Sequence, residues 1–217
     1  MTLHISESEV RRLLTMPLAI AAVESISRRQ AQGEVLVHSR RRFELPSGAF
    51  FHHMAAADIP GSVVATKQYT YVGGRLKFLV CLFSTESGDL LALIEADVLG
   101  QVRTGAASGV ATKYLARADA KTAAIIGTGG QARTQLGAIA AVRPLESVWV
   151  YGRDAERRTK FAAEMSAKLG IQVRAAASAE EATRDAAIVC TATTASRCII
   201  SRCCRTARSG FKALRPS

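Results

Sequence analysis

The sequence predicts an α/β chain, an α+β segment followed by a doubly wound parallel sheet. Three observations carry this. Between Glu34 and Ala96, short runs rich in β-branched and aromatic residues are separated by turn residues, as in successive hairpins. From about Lys121, such runs alternate with helical stretches, the mark of βαβ units. At the first strand-to-helix junction of that second part stands a glycine loop, IIGTGGQAR.

The elements follow in order. SESEVRRLLTMPLAIAAVESISRRQAQG places a serine and acids ahead of apolar residues at helical spacing, Val10, Leu13 and Leu14. Pro17 breaks or restarts that helix and Gly33 ends it, which gives a helical hairpin or a kinked helix. EVLVHSRRRFEL, AFFHHMAAA, SVVATKQYTYV, RLKFLVCLFS and LLALIEA then read as strands, joined at PSG, GG and TESGD into an antiparallel or mixed sheet. After Lys121 come TAAIIG, SVWVYG, IQVRAAA and AIVCTAT as strands, with GQARTQLGAIAAVR, DAERRTKFAAEMSAKLG and SAEEATRDA as the helices between them.

Composition bounds the function. With 217 residues, 48% apolar and 22% charged, the chain has room for one large domain or two small ones around a substantial core. No apolar run is long enough to span a bilayer, and MTLHISESEVRR lacks the basic start and apolar core of a secretory leader; a cytoplasmic protein without a membrane partner is expected. The net charge of +11 is concentrated at the end: Arg197, Arg202, Arg205, Arg208, Lys212 and Arg215 follow Ser196 with no acid among them, leaving +5 for the rest. Three of the five cysteines, Cys198, Cys203 and Cys204, lie there too. Cys81 and Cys190, in apolar strand-like runs, read as buried structural thiols.

In IIGTGGQAR, Gly127, Gly129 and Ala132 form G-x-G-x-x-A directly after a strand and at the start of a helix. The first glycine permits a tight turn, the second lets backbone approach a pyrophosphate, and the small third residue lets helix and strand pack closely. The helix N-terminus then offers free N–H groups to the anion. The second strand ends in VWVYGRD, where an acid would hold a ribose 2′-hydroxyl and an arginine a 2′-phosphate. Arg153 occupies the turn, and Asp154 is read as the cap of the next helix, so NADP is favoured over NAD.

An enzyme using such a cofactor on an anionic substrate needs fixed cations, and arginine grips a carboxylate through two parallel hydrogen bonds. Arg40, Arg41, Arg42, Lys67 and Arg103 are candidates, with ordinary surface charge as the alternative for each, and spacing does not choose among them. His52 and His53 are neighbours on a strand and point to opposite faces, which argues against a shared metal. No metal site is expected.

Two segments, VRTGAASGVATKYLAR and GTGGQARTQL, resemble R-T-x-A-x-S-x-x-A-x-x-x-L-A and G-x-G-x-Q-A-x-x-Q of the ornithine cyclodeaminase/mu-crystallin family. Weaker matches are Arg42 to Pro46 as Arg-x-x-x-Pro, then Met54 and Lys67. The resemblance runs to about Ala195. It implies an N-terminal domain for substrate binding and homodimer formation over residues 1–120, and a partial Rossmann domain over residues 121–195. It implies that Arg42, Lys67 and Arg103 surround a substrate carboxylate. Thr104, Gly127, Gly129, Gln131, Ala132, Arg153, Thr191 and Thr193 would line the dinucleotide. The implied chemistry is hydride exchange at the α-carbon of a small amino or imino acid, as in cyclodeamination of ornithine to proline or reduction of a cyclic ketimine such as pyrroline-2-carboxylate. A non-catalytic dinucleotide-binding or dimerisation protein is the alternative.

The sequence departs from the family after Ala195. The family's catalytic aspartate follows the fourth Rossmann strand, and no recognisable counterpart is present, so no general acid or base is assigned. Residues 196–217 carry basic charge with Phe211 as the one aromatic, and cysteines without a Cys-x-x-Cys pair or histidines, which fits neither a nucleic-acid arm nor zinc. Synonymous codons for Arg202 to Ser209, read two bases later, encode Leu-Leu-Gln-Asp-Gly-Ser-Phe, which suits the family's Asp-Gly turn. A shifted reading frame and a disordered tail are therefore expected, with the chain as given unstable or inactive.

Overall fold

A computed structural model describes residues 1–193. The basic tail with Cys198, Cys203 and Cys204 lies outside the described residues, as does the expectation placed on it. The chain divides into two compact units: Met1–Tyr114 with Gly137–Val142, and Leu115–Leu136 with the chain from Arg143 onward.

The first unit opens with β1 (Leu3–Ile5), α1 (Glu7–Leu13) and α2 (Met16–Ala31). Ser6 and Glu9 form a reciprocal capping box: the Ser6 amide donates to Glu9 Oε2 at 2.9 Å and the Glu9 amide to Ser6 Oγ at 3.4 Å. Those bonds hold the Glu9 carboxyl below its usual range. Thr15 caps α2, with Pro17 in its first turn, where its missing N–H removes no helical bond. Pro17 thus restarts a helix rather than kinking one.

Five strands follow: β2 (Val35–Glu44), β3 (Phe50–Asp58), β4 (Val63–Val72), β5 (Arg75–Ser84) and β6 (Leu90–Glu95). The β4–β5 turn is Gly73-Gly74, both at positive φ, as a tight two-residue hairpin requires. The sheet order is β1-β6-β5-β4-β3-β2, antiparallel except for β1, which pairs parallel to β6 through Leu3 and Ala92. The sheet is therefore mixed.

Then comes α3 (Asp97–Leu115), which the sequence reading assigned to no element. Its small residues are packing positions: Gly105, Ala106 and Gly109 are buried. A Cβ on Gly109 would sit 3.0 Å from Ile20 Cδ1 and 3.2 Å from the Ala138 Cβ, so helices approach closely there. Both Glu7 carboxylate oxygens accept from the Val98 amide and Oε1 also from that of Asp97, supplying partners to the free N–H groups at the start of α3.

The second unit alternates β7 (Thr122–Ile126), α4 (Gly130–Val142), β8 (Ser147–Tyr151), α5 (Ala155–Leu169), β9 (Gln172–Ala175), α6 (Ala179–Thr183) and β10 (Ile188–Thr191). The last six residues of α4 cluster with the first unit. The strands lie in the order β10-β7-β8-β9 and all pair parallel. Near-continuous apolar strands suit a sheet covered on both faces. Ile125, Val148 and Val150 are fully buried, as are Leu136, Phe161 and Met165 from the helices. Gly170, at φ 66, closes α5 in the left-handed conformation that glycine allows.

Candidate active site

One face of the first sheet builds a cleft of about 770 Å³. Alternation puts residues two apart on the same side, and the strand register aligns them across the sheet. Arg42 faces His52, His52 faces Tyr69 and Tyr69 faces Phe78, forming one row; Met54 and Lys67 begin the next. Ala96, Leu99, Gly100 and Arg103, at and beyond the start of α3, complete the wall.

A β-bulge decides which arginines take part. His38 pairs with Ala55 but Arg41 pairs with His53, so β2 carries one extra residue between them. An extra residue exchanges the two faces of a strand. Arg40 and Arg42 therefore line the cleft, while Arg41 shares the opposite face with His53. His53 stacks there on Phe43 and Phe51, with ring centroids 6.0 and 6.2 Å apart. The two histidines do lie on opposite faces.

The floor is a ladder of rings. His52 stacks on Tyr69 at 4.6 Å and 4°, Tyr69 on Phe78 at 4.7 Å, and Phe50 meets His52 edge-on at 4.9 Å. The cations rest on these faces: Arg42 lies 4.5 Å from the Phe50 centroid, and Lys67 Nζ 5.4 and 5.3 Å from those of Tyr69 and Phe78. Arg42 also reaches Glu44 at 3.0 Å. Burial, then Arg103 and Arg40, push the Lys67 ammonium below its ordinary range. His52 is 6% exposed, and burial followed by Arg40 and Arg42 lowers its pKa too. It presents a neutral imidazole whose Nδ1 has no hydrogen-bond partner among the described residues.

Four cations thus line the cleft, Arg40, Arg42, Lys67 and Arg103, and no acid does among the described residues. An anionic ligand would supply the counter-charge this lining lacks. Phe50, Tyr69 and Phe78 went unnoticed in the sequence, although Phe50-x-His52-x-Met54 and Lys67-x-Tyr69 show the alternation that could have found them.

In the second unit, the glycine loop joins β7 to α4. Gly127 has φ 124, and a Cβ there would fall 2.1 Å from the Ala192 carbonyl oxygen. Gly129 has nothing within 4 Å of its Cβ position, so the approach to its backbone is open, and Ala132 is fully buried where helix meets strand. Open backbone at Gly129 and the first N–H groups of α4 are what a pyrophosphate would require. Arg133, missed in the sequence, steadies this loop. Its Nη1 donates to the Thr128 carbonyl at 3.0 Å, while Nε and Nη2 donate to Glu164 at 2.8 and 2.7 Å.

At the end of β8, Arg153 is exposed and Asp154 caps α5, accepting from the Arg157 amide at 2.9 Å. Thr191 ends β10 and Thr193 follows it, both exposed. Gln131 is exposed in the first turn of α4. Thr104 lies in the first unit on α3, its hydroxyl donating to the Gly100 carbonyl at 2.7 Å. Cys81 and Cys190 are free and partly rather than fully buried, which corrects the sequence expectation. Burial pushes the Cys190 thiol up to about 11, and it donates to Gln135 Oε1 at 3.8 Å.

Comparison with known proteins agrees with these features. The model of the ornithine cyclodeaminase/mu-crystallin family matches residues 2–202. Delta(1)-pyrroline-2-carboxylate reductase of Bacillus cereus is 45% identical over 123 residues, 57% of this chain and 38% of that protein. Ornithine cyclodeaminase of Agrobacterium fabrum is 38% identical over 112 residues, 52% of this chain and 31% of that protein. The structure of Thermococcus litoralis Delta(1)-pyrroline-2-carboxylate reductase in complex with NADH and L-proline superposes with a TM-score of 0.83 at 38% identity, covering 89% of this chain and 62% of that one. The matches thus span less than half of those two curated relatives. With a family match over nearly its whole described length, the chain belongs to the ornithine cyclodeaminase/mu-crystallin family.

Proposed function

We propose that the chain serves NAD(P)H-linked chemistry at the α-carbon of a small imino or amino acid, namely reduction of a cyclic imine such as pyrroline-2-carboxylate. The observation that carries it is the cleft with four cations and no acid among its described lining. A carboxylate is welcome there, whereas the second ammonium of ornithine finds no counter-charge among the described lining residues, so reduction is favoured over cyclodeamination. The relatives named as pyrroline-2-carboxylate reductases point the same way.

Arg42, Lys67 and Arg103 hold the carboxylate, and the aromatic floor excludes water beneath the ring. A dinucleotide held along Gly127, Gly129, Gln131, Ala132, Thr191 and Thr193 would supply the hydride. NADPH is favoured because Asp154 is engaged in capping and Arg153, Arg157 and Arg158 cluster after β8. No described residue is assigned the proton transfer.

The reading includes a domain division near residue 120, a cytoplasmic location and a homodimer. The sheet face opposite the cleft carries Phe43, Phe51, His53 and Cys81, with Phe43 58% exposed, and a second copy would cover it. Mixing the chain with NADPH and pyrroline-2-carboxylate tests the function. NADPH oxidation with proline formation supports it and overturns the expectation of an inactive chain; consumption of ornithine in preference to the imine contradicts it. Cofactor binding without hydride transfer favours either the non-catalytic alternative or a family enzyme inactive as given.

A further inference from the structure

Three acids, Glu7, Glu95 and Asp97, meet where α1, β6 and α3 converge, yet none of them lines the cleft. Each is spent on backbone N–H groups. The Glu7 amide, at the start of α1, donates to Glu95 Oε2 at 2.8 Å, while Glu7 Oε1 accepts from the Asp97 amide at 2.5 Å. Asp97 Oδ1 accepts from the Phe78 amide at 2.9 Å, and the Ala96 amide donates to the Phe78 carbonyl at 3.0 Å. The start of α3 is thus tied to α1 and to a ring of the cleft floor.

α1, α2, α5 and α6 have N-cap side chains of their own, Ser6, Thr15, Asp154 and Ser178. α3 follows Ala96, whose side chain has no oxygen to offer, and Glu7 takes that place from 90 positions away. What the cap holds is the cleft wall. Leu99, Gly100 and Arg103 lie three and four residues apart, on one face of the first two turns of α3. The close contact with Ile20 and Ala138 comes only later, at Gly109.

We propose that Glu7 is a positioning residue for Arg103: capping α3 from outside, it fixes the turns that present the guanidinium to a carboxylate. Without it those turns fray, and binding must order them again. This rests on the proposed reading of the cleft as a carboxylate site.

The test is calorimetric titration of the full chain with pyrrole-2-carboxylate, a flat five-membered-ring acid. Glu7→Ala should bind it about fivefold more weakly, the scale of a lost cap, and Glu7→Gln, which keeps an accepting oxygen, within about twofold of the parent. Arg103→Lys leaves a charge on a flexible stem in place of the fixed fork, and in that background Glu7→Ala should cost less than about twofold. Glu7→Asp, one methylene shorter, goes through the same cycle with an intermediate loss expected, so the outcome does not depend on the alanine chain folding. Ser178→Ala, which removes a cap from the second unit, should bind as the parent does. Parental affinity in Glu7→Ala, the same loss in both Arg103 backgrounds, or an equal loss in Ser178→Ala overturns the positioning role while leaving the carboxylate cleft standing. No binding by the unaltered chain overturns the cleft, and the positioning role with it.

Discussion

Replacing Gly127 with alanine should damage folding, whereas the same change at Gly129 should damage cofactor binding. At Gly127 the backbone has φ 124, a conformation open to glycine and strained for any other residue. The added Cβ would also fall 2.1 Å from the Ala192 carbonyl oxygen and 2.7 Å from its carbon. Both are backbone atoms tied to β7, since the Ala192 amide donates to the Ile126 carbonyl at 2.8 Å. Backbone strain of about 1–3 kcal/mol and overpacking of about 1–3 kcal/mol together give roughly 2–6 kcal/mol. That is a large share of the roughly 5–15 kcal/mol by which domains are stable.

At Gly129 φ is not positive and a Cβ meets nothing within 4 Å. The Gly129→Ala chain should match or exceed the parent in stability by up to about 1 kcal/mol. Its methyl group occupies the space through which a pyrophosphate would approach, so NADPH affinity should fall by about tenfold or more. Urea unfolding followed by circular dichroism measures the first effect and fluorescence titration the second. A Gly127→Ala chain as stable as the parent, or a Gly129→Ala chain with unchanged NADPH affinity, would refute the assignment of the two roles.

Three further outcomes follow from particular contacts. Arg133→Met should lower NADPH affinity by about fivefold while leaving carboxylate binding unchanged, because the Thr128 carbonyl loses its anchor; the Arg133–Glu164 pair is partly exposed, so little stability should be lost. Lys113, Tyr114 and Arg28 hold the Glu24 carboxyl at about 2 in the fold against 4.5 ordinarily. A depressed carboxylate stabilises above its unfolded pKa and loses that contribution as pH falls through the folded value, so Glu24→Gln should flatten acid unfolding between about 4.5 and 2. Carboxylate binding in the cleft should draw a proton onto Lys67 at alkaline pH, since the anion offsets the burial and the guanidinium groups that lower its pKa; titration heats should then depend on the buffer's ionisation enthalpy, and Lys67→Met should abolish that dependence.

What the sequence made legible was local. The glycine loop, every strand but β1 and the cap at Asp154 each depend on residues a few positions apart. β1 escaped notice because three residues carry no periodicity, and its partner, β6, lies far along the chain. α3 escaped because glycines at 105 and 109 lower helix propensity, yet they are what allows close packing against Ile20 and Ala138. The choice of Arg40 and Arg42 over Arg41 turns on the bulge after His38, which the pairing with β3 reveals and composition does not. The Arg133–Glu164 contact likewise spans 31 positions. The proposed carboxylate set of Arg42, Lys67 and Arg103 could be reached only through family resemblance, because it combines two strands and a helix.

The most direct test of the account is equilibrium binding of NADPH and NADH to the 217-residue chain, each alone and with L-proline present. Saturable binding of NADPH, tighter than that of NADH and weakened by Arg153→Asp, is the predicted result. Binding of neither dinucleotide would contradict the account, and tighter NADH binding that survives in Arg153→Asp would contradict its choice of cofactor.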